Sequence, residues 1–135
     1  MINLIALFDV ALLLGGMFFF AAVMAPLVFT RLPAQQAGVF IREVFPFYYL
    51  YVFIGSAIAA VALSPRWDAV WMAAVALVTL WLWHWLMPRI NTASDAARKG
   101  DIVAKRWFDQ FHRFSVFVNF IQILVVGLVL ARFVA

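Results

Sequence analysis

Residues 2–29 read INLIALFDVALLLGGMFFFAAVMAPLVF, an apolar run interrupted only by Asn3, Asp9, Gly15, Gly16 and Pro26. About 20 apolar residues, rising 1.5 Å each, cross roughly 30 Å of hydrocarbon, so this stretch reads as a membrane-spanning helix. Three more stretches qualify. One covers about 44–63 and opens on Phe45-Pro46-Phe47-Tyr48-Tyr49; another covers about 67–87 and ends on Trp81-Leu82-Trp83-His84-Trp85; the last covers about 107–134. Barrel strands of alternating polarity would not give continuous runs of this length. The expected fold is all-α: one integral membrane four-helix bundle over residues 1–135.

Composition agrees. Hydrophobic residues make up 68% of the chain and charged residues 12%, with a mean hydropathy of +1.05, against roughly half and a quarter in soluble proteins. A soluble globule of this make-up would expose much apolar surface to water, so a soluble enzyme, a disordered tail and a nucleic-acid module are excluded. The net charge of +4 does not change this, because the basic residues sit in short connectors between apolar runs. Cysteine is absent, which removes disulfides, thiolate metal sites and cysteine nucleophiles and leaves the redox compartment open. No Lys or Arg precedes the first run and no small-residue cleavage motif follows a short core, so that run reads as a retained helix rather than a signal peptide.

The connectors carry the orientation. Thr30 to Arg42, with Pro33 and Gly38, reads as a turn, and Ser64-Pro65-Arg66 as a tight one. In the longer Pro88–Arg106 connector, Asn91 to Lys99 reads as helix, Gly100 as its stop and Asp101 as the N-cap of the next helix. The third and fourth helices are thus expected to project beyond the bilayer as a helical hairpin. Arg66 and Arg132 fall on the side of the termini. Arg31, Arg42, Arg89, Arg98, Lys99, Lys105, Arg106 and Arg113 fall on the other. Eight against two places both termini outside and the hairpin in the cytoplasm of a bacterial-type inner membrane. Trp67 and Trp71 then anchor the outer boundary, and Trp81, Trp83, Trp85 and Trp107 the inner one.

Candidate chemistry concentrates on the fourth helix. His112, Ser115, Asn119 and Gln122 recur at i, i+3, i+7 and i+10, which confines them to an arc of roughly 80°. Lipid cannot satisfy amide and imidazole groups, so the stripe must face protein, water or a ligand. It either ties helices together or walls a polar cavity or pathway opening inward; the spacing alone does not choose. His112 is expected within hydrogen-bond reach of the Arg42–Glu43 region. Arg42, Glu43, Asp109, His112, Arg113 and Arg89, with Pro26 and Pro46, converge on the inner mouth, where Glu43 and Asp109 look like partners of the arginines. Asp9 is an intramembrane acid, either wet near the outer interface, or paired with Arg132, or functional. Gly16, on the face of Asp9, offers another helix a close approach. His84 and His112 lie at matching depth on consecutive helices, which raises axial ligation of a haem as an alternative. Met17 and Met24 hint at copper(I), against which packing is the simpler account.

Phe45-Pro46-Phe47-Tyr48-Tyr49, Trp85-Leu86-Met87-Pro88-Arg89 and the pattern F-x3-H-x2-S-x3-N from Phe108 through His112 and Ser115 to Asn119 resemble the transmembrane protein 205 family (domain of unknown function 4149). The resemblance implies four helices and marks the prolines and the polar stripe, but carries no biochemical activity. His84 lies outside its pattern.

The leading functional expectation is binding or passage of a small polar solute or ion through an inward-facing polar site, without catalysis or a resident cofactor. The alternatives are a haem- or metal-binding redox protein and a structural or accessory subunit. Partners are expected to be the lipid bilayer and further copies of the chain, because four short helices enclose little volume and a pore forms more naturally between protomers. Nucleic acid is not expected.

Overall fold

The structure, a computed structural model, describes residues 2–135. It is all-α, with four helices long and apolar enough to cross a membrane: α1 (Asn3–Arg31), α2 (Ala34–Ala62), α3 (Trp67–Arg98) and α4 (Ile102–Ala131). At most 33% of the most apolar window of any of them is buried. Large apolar side chains such as Phe8, Leu12, Phe47, Val61, Leu77, Phe117 and Leu128 form the outside, an arrangement suited to lipid and not to water.

Short turns make each helix antiparallel to the next. α1 packs on α2, α2 on α3, α3 on α4, and the first part of α1 packs back on α4. One end of this ring holds the start of α1, the end of α4 and the Ser64-Pro65-Arg66 turn, and the other holds the turns at Leu32-Pro33 and Gly100. The core runs between them: Ala6, Val10, Leu13 and Met17 of α1 repeat at helical spacing and meet Val52, Ala59, Met72, Val75, Val126 and Val129. Met17 is fully buried there, a packing role.

The hairpin between α3 and α4 forms as its sequence requires. α3 continues through the polar stretch to Arg98, Gly100 takes φ +95°, and the Asp101 carboxylate accepts a 3.1 Å bond from the Ala104 amide. A left-handed φ at that point suits glycine. The first connector differs from expectation. The turn is confined to Leu32 and Pro33, and helix resumes at Ala34, so Gly38 and Arg42 stand on α2 and not in a loop. Ala34-Gln35-Gln36-Ala37 are good helix formers; their polarity marks where α2 leaves the apolar zone, not where it begins. Gly38 earns its place by contact, since a Cβ there would stand 2.9 Å from the guanidinium of Arg98.

Two π-helical turns interrupt the spans, Phe20–Met24 in α1 and Leu82–Leu86 in α3. Each is followed two residues later by a proline, Pro26 and Pro88. A proline removes one helical donor and its ring crowds the carbonyl four residues back; a widened turn just upstream absorbs both. Beyond its π turn, Ala25–Arg31 packs chiefly on α2, whereas Ile2–Phe19 packs on both α2 and α4. A cleft is left between α1 and α4 at the hairpin end.

Candidate functional site

That cleft has two adjoining lobes. The deeper, of about 150 Å³, is walled by Phe20, Ala21 and Ala25 of α1, by Phe45, Tyr48 and Tyr49 of α2, by Leu82 of α3, and by Val116 and Asn119 of α4. The outer, of about 110 Å³, reaches toward the hairpin and is lined by Gly38 and Arg42 of α2, by Asn91, Ser94 and Arg98 of α3, and by Phe108 of α4. Phe29, Ile41, Phe45, Tyr49, His112 and Ser115 belong to both. The π turns start at this level, with Phe20 and Leu82 in the wall. Phe29 and Val116, both more than half exposed, stand at the edge where the cleft opens between α1 and α4.

Aromatic packing holds the deep lobe in shape. Phe20 stacks on Tyr48 at 4.4 Å and meets Phe45 edge-on at 5.6 Å. The Tyr48 hydroxyl donates a 2.6 Å bond to the Asn119 side-chain carbonyl, so the Asn119 amide hydrogens remain for the cleft. Ser115 donates to the His112 carbonyl at 2.8 Å. The His112 ring stacks on Phe108 at 5.8 Å, and its nitrogens form no hydrogen bond among the described residues. At the outer lobe Arg42 forms a two-bond pair with Asp95, at 2.8 and 2.9 Å. No carboxylate lines either lobe among the described residues.

The stripe on α4 faces the bundle, as its polarity requires, but divides in use. His112, Ser115 and Asn119 line the cleft. Gln122, only 5% exposed, lies one step deeper and donates to the Thr79 hydroxyl at 3.0 Å and the Val75 carbonyl at 3.2 Å, tying α4 to α3. Phe117 and Phe120 point outward.

The expected ion-pair network at the mouth takes a different form. Arg42 reaches Asp95 on α3 and not Glu43 or Asp109, and it makes no hydrogen bond to His112. Glu43 follows Arg42 by one position and so points to another side of α2, exposed beside Gln36 and Val39. Asp109 is exposed on α4. Arg89 turns back along its own helix, with its guanidinium 3.7 Å from the Trp85 ring centre and bonded to the Trp85 carbonyl. Asp9 does not pair with Arg132. That arginine holds Asp68 at 2.8 Å, with Arg66 at 3.4 Å, while one Asp9 carboxylate oxygen is buried without a partner. His84 is exposed and stacks on Trp83, so the two histidines do not share a cavity. The described residues include no group of three His, Cys, Asp or Glu side chains that could hold a metal ion.

Sequence reasoning passed over Asn91, Ser94 and Arg98, although the signal was present. Once Asn91 to Lys99 reads as helix, these three fall at i, i+3 and i+7 on one face, the same test that isolates the stripe on α4. Asp95, next to that face, is the acid that Arg42 selects.

The fold and cleft define a chain of four apolar helices that enclose, at one end, a mostly apolar pocket edged by a few polar side chains. The chain belongs to the family described as Domain of unknown function (DUF4149), which matches residues 8–99. No curated protein matches it, and no solved structure does.

Proposed function

We propose that this is a multi-pass membrane protein that binds, or passes, a small polar solute or ion at the cleft. The observation that carries the reading is the convergence of His112, Ser115 and Asn119 of α4 with Arg42 of α2 on two adjoining lobes of one cleft, neither lined by a carboxylate among the described residues. A mostly apolar cavity with a few convergent polar groups is the usual form of a small-ligand site. Both π turns border it, and π turns favour functional sites.

The distribution of charge supports an orientation. All eight basic residues of the larger set lie toward the hairpin end, so that end faces the cytoplasm and both termini face out; a C-terminal alkaline phosphatase fusion is then active, and an inactive one reverses the assignment. A bacterial-type inner membrane and a homo-oligomeric state belong to the same reading. So does kinship with the transmembrane protein 205 family, whose pattern from Phe108 to Asn119 lies on α4 beyond the residues that the family match covers.

The test is thermal unfolding of the purified protein in lipid nanodiscs against formate, acetate, phosphate, potassium and glycerol. At least one is expected to raise Tm saturably in wild type and in His84→Leu, but not in His112→Leu. Equal responses of the two variants, or none in wild type, overturn the reading.

A further inference from the structure

Resting on that reading of the cleft as a ligand site, we infer that the polar group it takes is the carboxylate of a long-chain amphiphile, which places its head in the outer lobe and its tail in the deep one, entering from the bilayer between α1 and α4. Four observations combine.

The first is charge. Arg42 and Arg98 line the outer lobe with His112, Asn91 and Ser94, and no carboxylate does among the described residues. A cation would find no counter-charge there.

The second is stoichiometry. Arg42 is already matched two-to-two by Asp95, whereas Arg98 makes no ion pair among the described residues and lies across Gly38 at the lobe's wall. Arg98 is exposed at the lobe's rim, and its guanidinium fork fits a carboxylate with two parallel bonds.

The third is the polarity gradient. Behind this head site the deep lobe adds Phe20, Ala21, Ala25, Leu82 and Val116 to the wall, and its two further polar side chains, Tyr48 and Asn119, are bonded to each other. A cavity of about 150 Å³ with such walls holds a group the size of benzene, which is several methylenes and not a whole acyl chain.

The fourth is the opening. The rest of the chain needs an exit, and the edge between Phe29 and Val116 supplies one onto a surface that is apolar throughout. A fully hydrated solute gains nothing from that lobe, whereas an acyl tail passes into it from the bilayer without being exposed to water.

The experiment is photo-crosslinking in nanodiscs of zwitterionic lipid, with a mid-chain diazirine fatty acid as probe. Labelling is expected to saturate and to map to residues 20–29 and 116–119. Unlabelled decanoate should compete, whereas decanol, decyltrimethylammonium and acetate should each need at least about ten times the concentration, the order expected for one charged pair or for a buried tail. Arg98→Gln should weaken labelling about tenfold and Arg98→Lys less; where Arg98→Gln does not fold, as judged by circular dichroism, the head-group comparison on wild type decides. If acetate competes as well as decanoate, the small-anion site stands and the amphiphile is overturned. Equal competition by decanol or decyltrimethylammonium overturns the charge argument, and stronger competition by decyl phosphate reassigns the head group. If nothing saturates, both this inference and the binding site on which it rests are overturned.

Discussion

Gly16→Ala is expected to destabilise the protein by about 1–3 kcal/mol, the usual cost of overpacking, whereas Gly15→Ala stabilises it slightly. The two glycines are neighbours on α1 and differ only in what faces them. A Cβ on Gly15 meets open space, and one on Gly16 runs into the ring of Tyr51 on α2. The ring cannot simply swing aside, because its hydroxyl donates to the Leu12 carbonyl and rotation gives up that bond. With no steric conflict, a mid-helix Gly-to-Ala change is worth up to about 1 kcal/mol in favour of the helix. The pair of variants should therefore move in opposite directions in thermal unfolding, and Tyr51→Ala should relieve much of the Gly16→Ala defect. Destabilisation of similar size at both positions would mean that α1 and α2 do not meet at Tyr51.

Asp68→Ala should cost about 1.5–3 kcal/mol, the range for hydrogen bonds to charged groups. Its side chain is 6% exposed and bridges Arg132 at 2.8 Å and Arg66 at 3.4 Å, fastening the end of α4 to the start of α3. Arg132→Gln should cost less, since Arg66 remains beside the carboxylate and Arg132 is itself 57% exposed and readily solvated. Asp9→Ala should be neutral or stabilising, because one Asp9 oxygen is buried with no partner to lose. Denaturation in detergent ranks the three variants; a larger loss for Asp9→Ala than for Asp68→Ala would contradict the pairing.

The legible part of this fold was whatever depends on runs and periods. Four long apolar runs gave four helices; Gly100 and Asp101, with their stop and cap chemistry, gave the hairpin; and the 80° arc on α4 gave an inward face. The less legible part depends on which of several neighbours a charge selects. Arg42 has Glu43 beside it in sequence, but adjacent residues on a helix point some 100° apart, and Asp95 faces it from the neighbouring helix α3. Arg132 likewise had two acids within reach in principle, and only three-dimensional packing assigns it to Asp68. The first connector is an exception: its polarity suggests a helix end, yet Ala34–Arg42 is polar and helical together. The π turns have a local cue in Pro26 and Pro88, but Pro46 sits inside α2 without one, so proline alone does not locate them.

The cleft also explains why the stripe on α4 divides in two. Below Asn119 the helices close and Gln122 finds partners on α3. Above it, Ala25–Arg31 packs chiefly on α2 and leaves the cleft open beside α4, and the Asn119 amide hydrogens and the His112 ring nitrogens form no bond among the described residues. A structural tie and a ligand wall thus share one helix face, separated by a single turn.

The most direct measurement is an experimental structure of the protein in a lipid bilayer, with attention to the space between Phe45, His112 and Asn119. The account predicts an elongated density, with its polar end near Arg98 and His112 and its other end leaving between Phe29 and Val116. A closed interface, with Ala25 and Phe29 packed directly onto His112 and Val116 and no space between them, would contradict it.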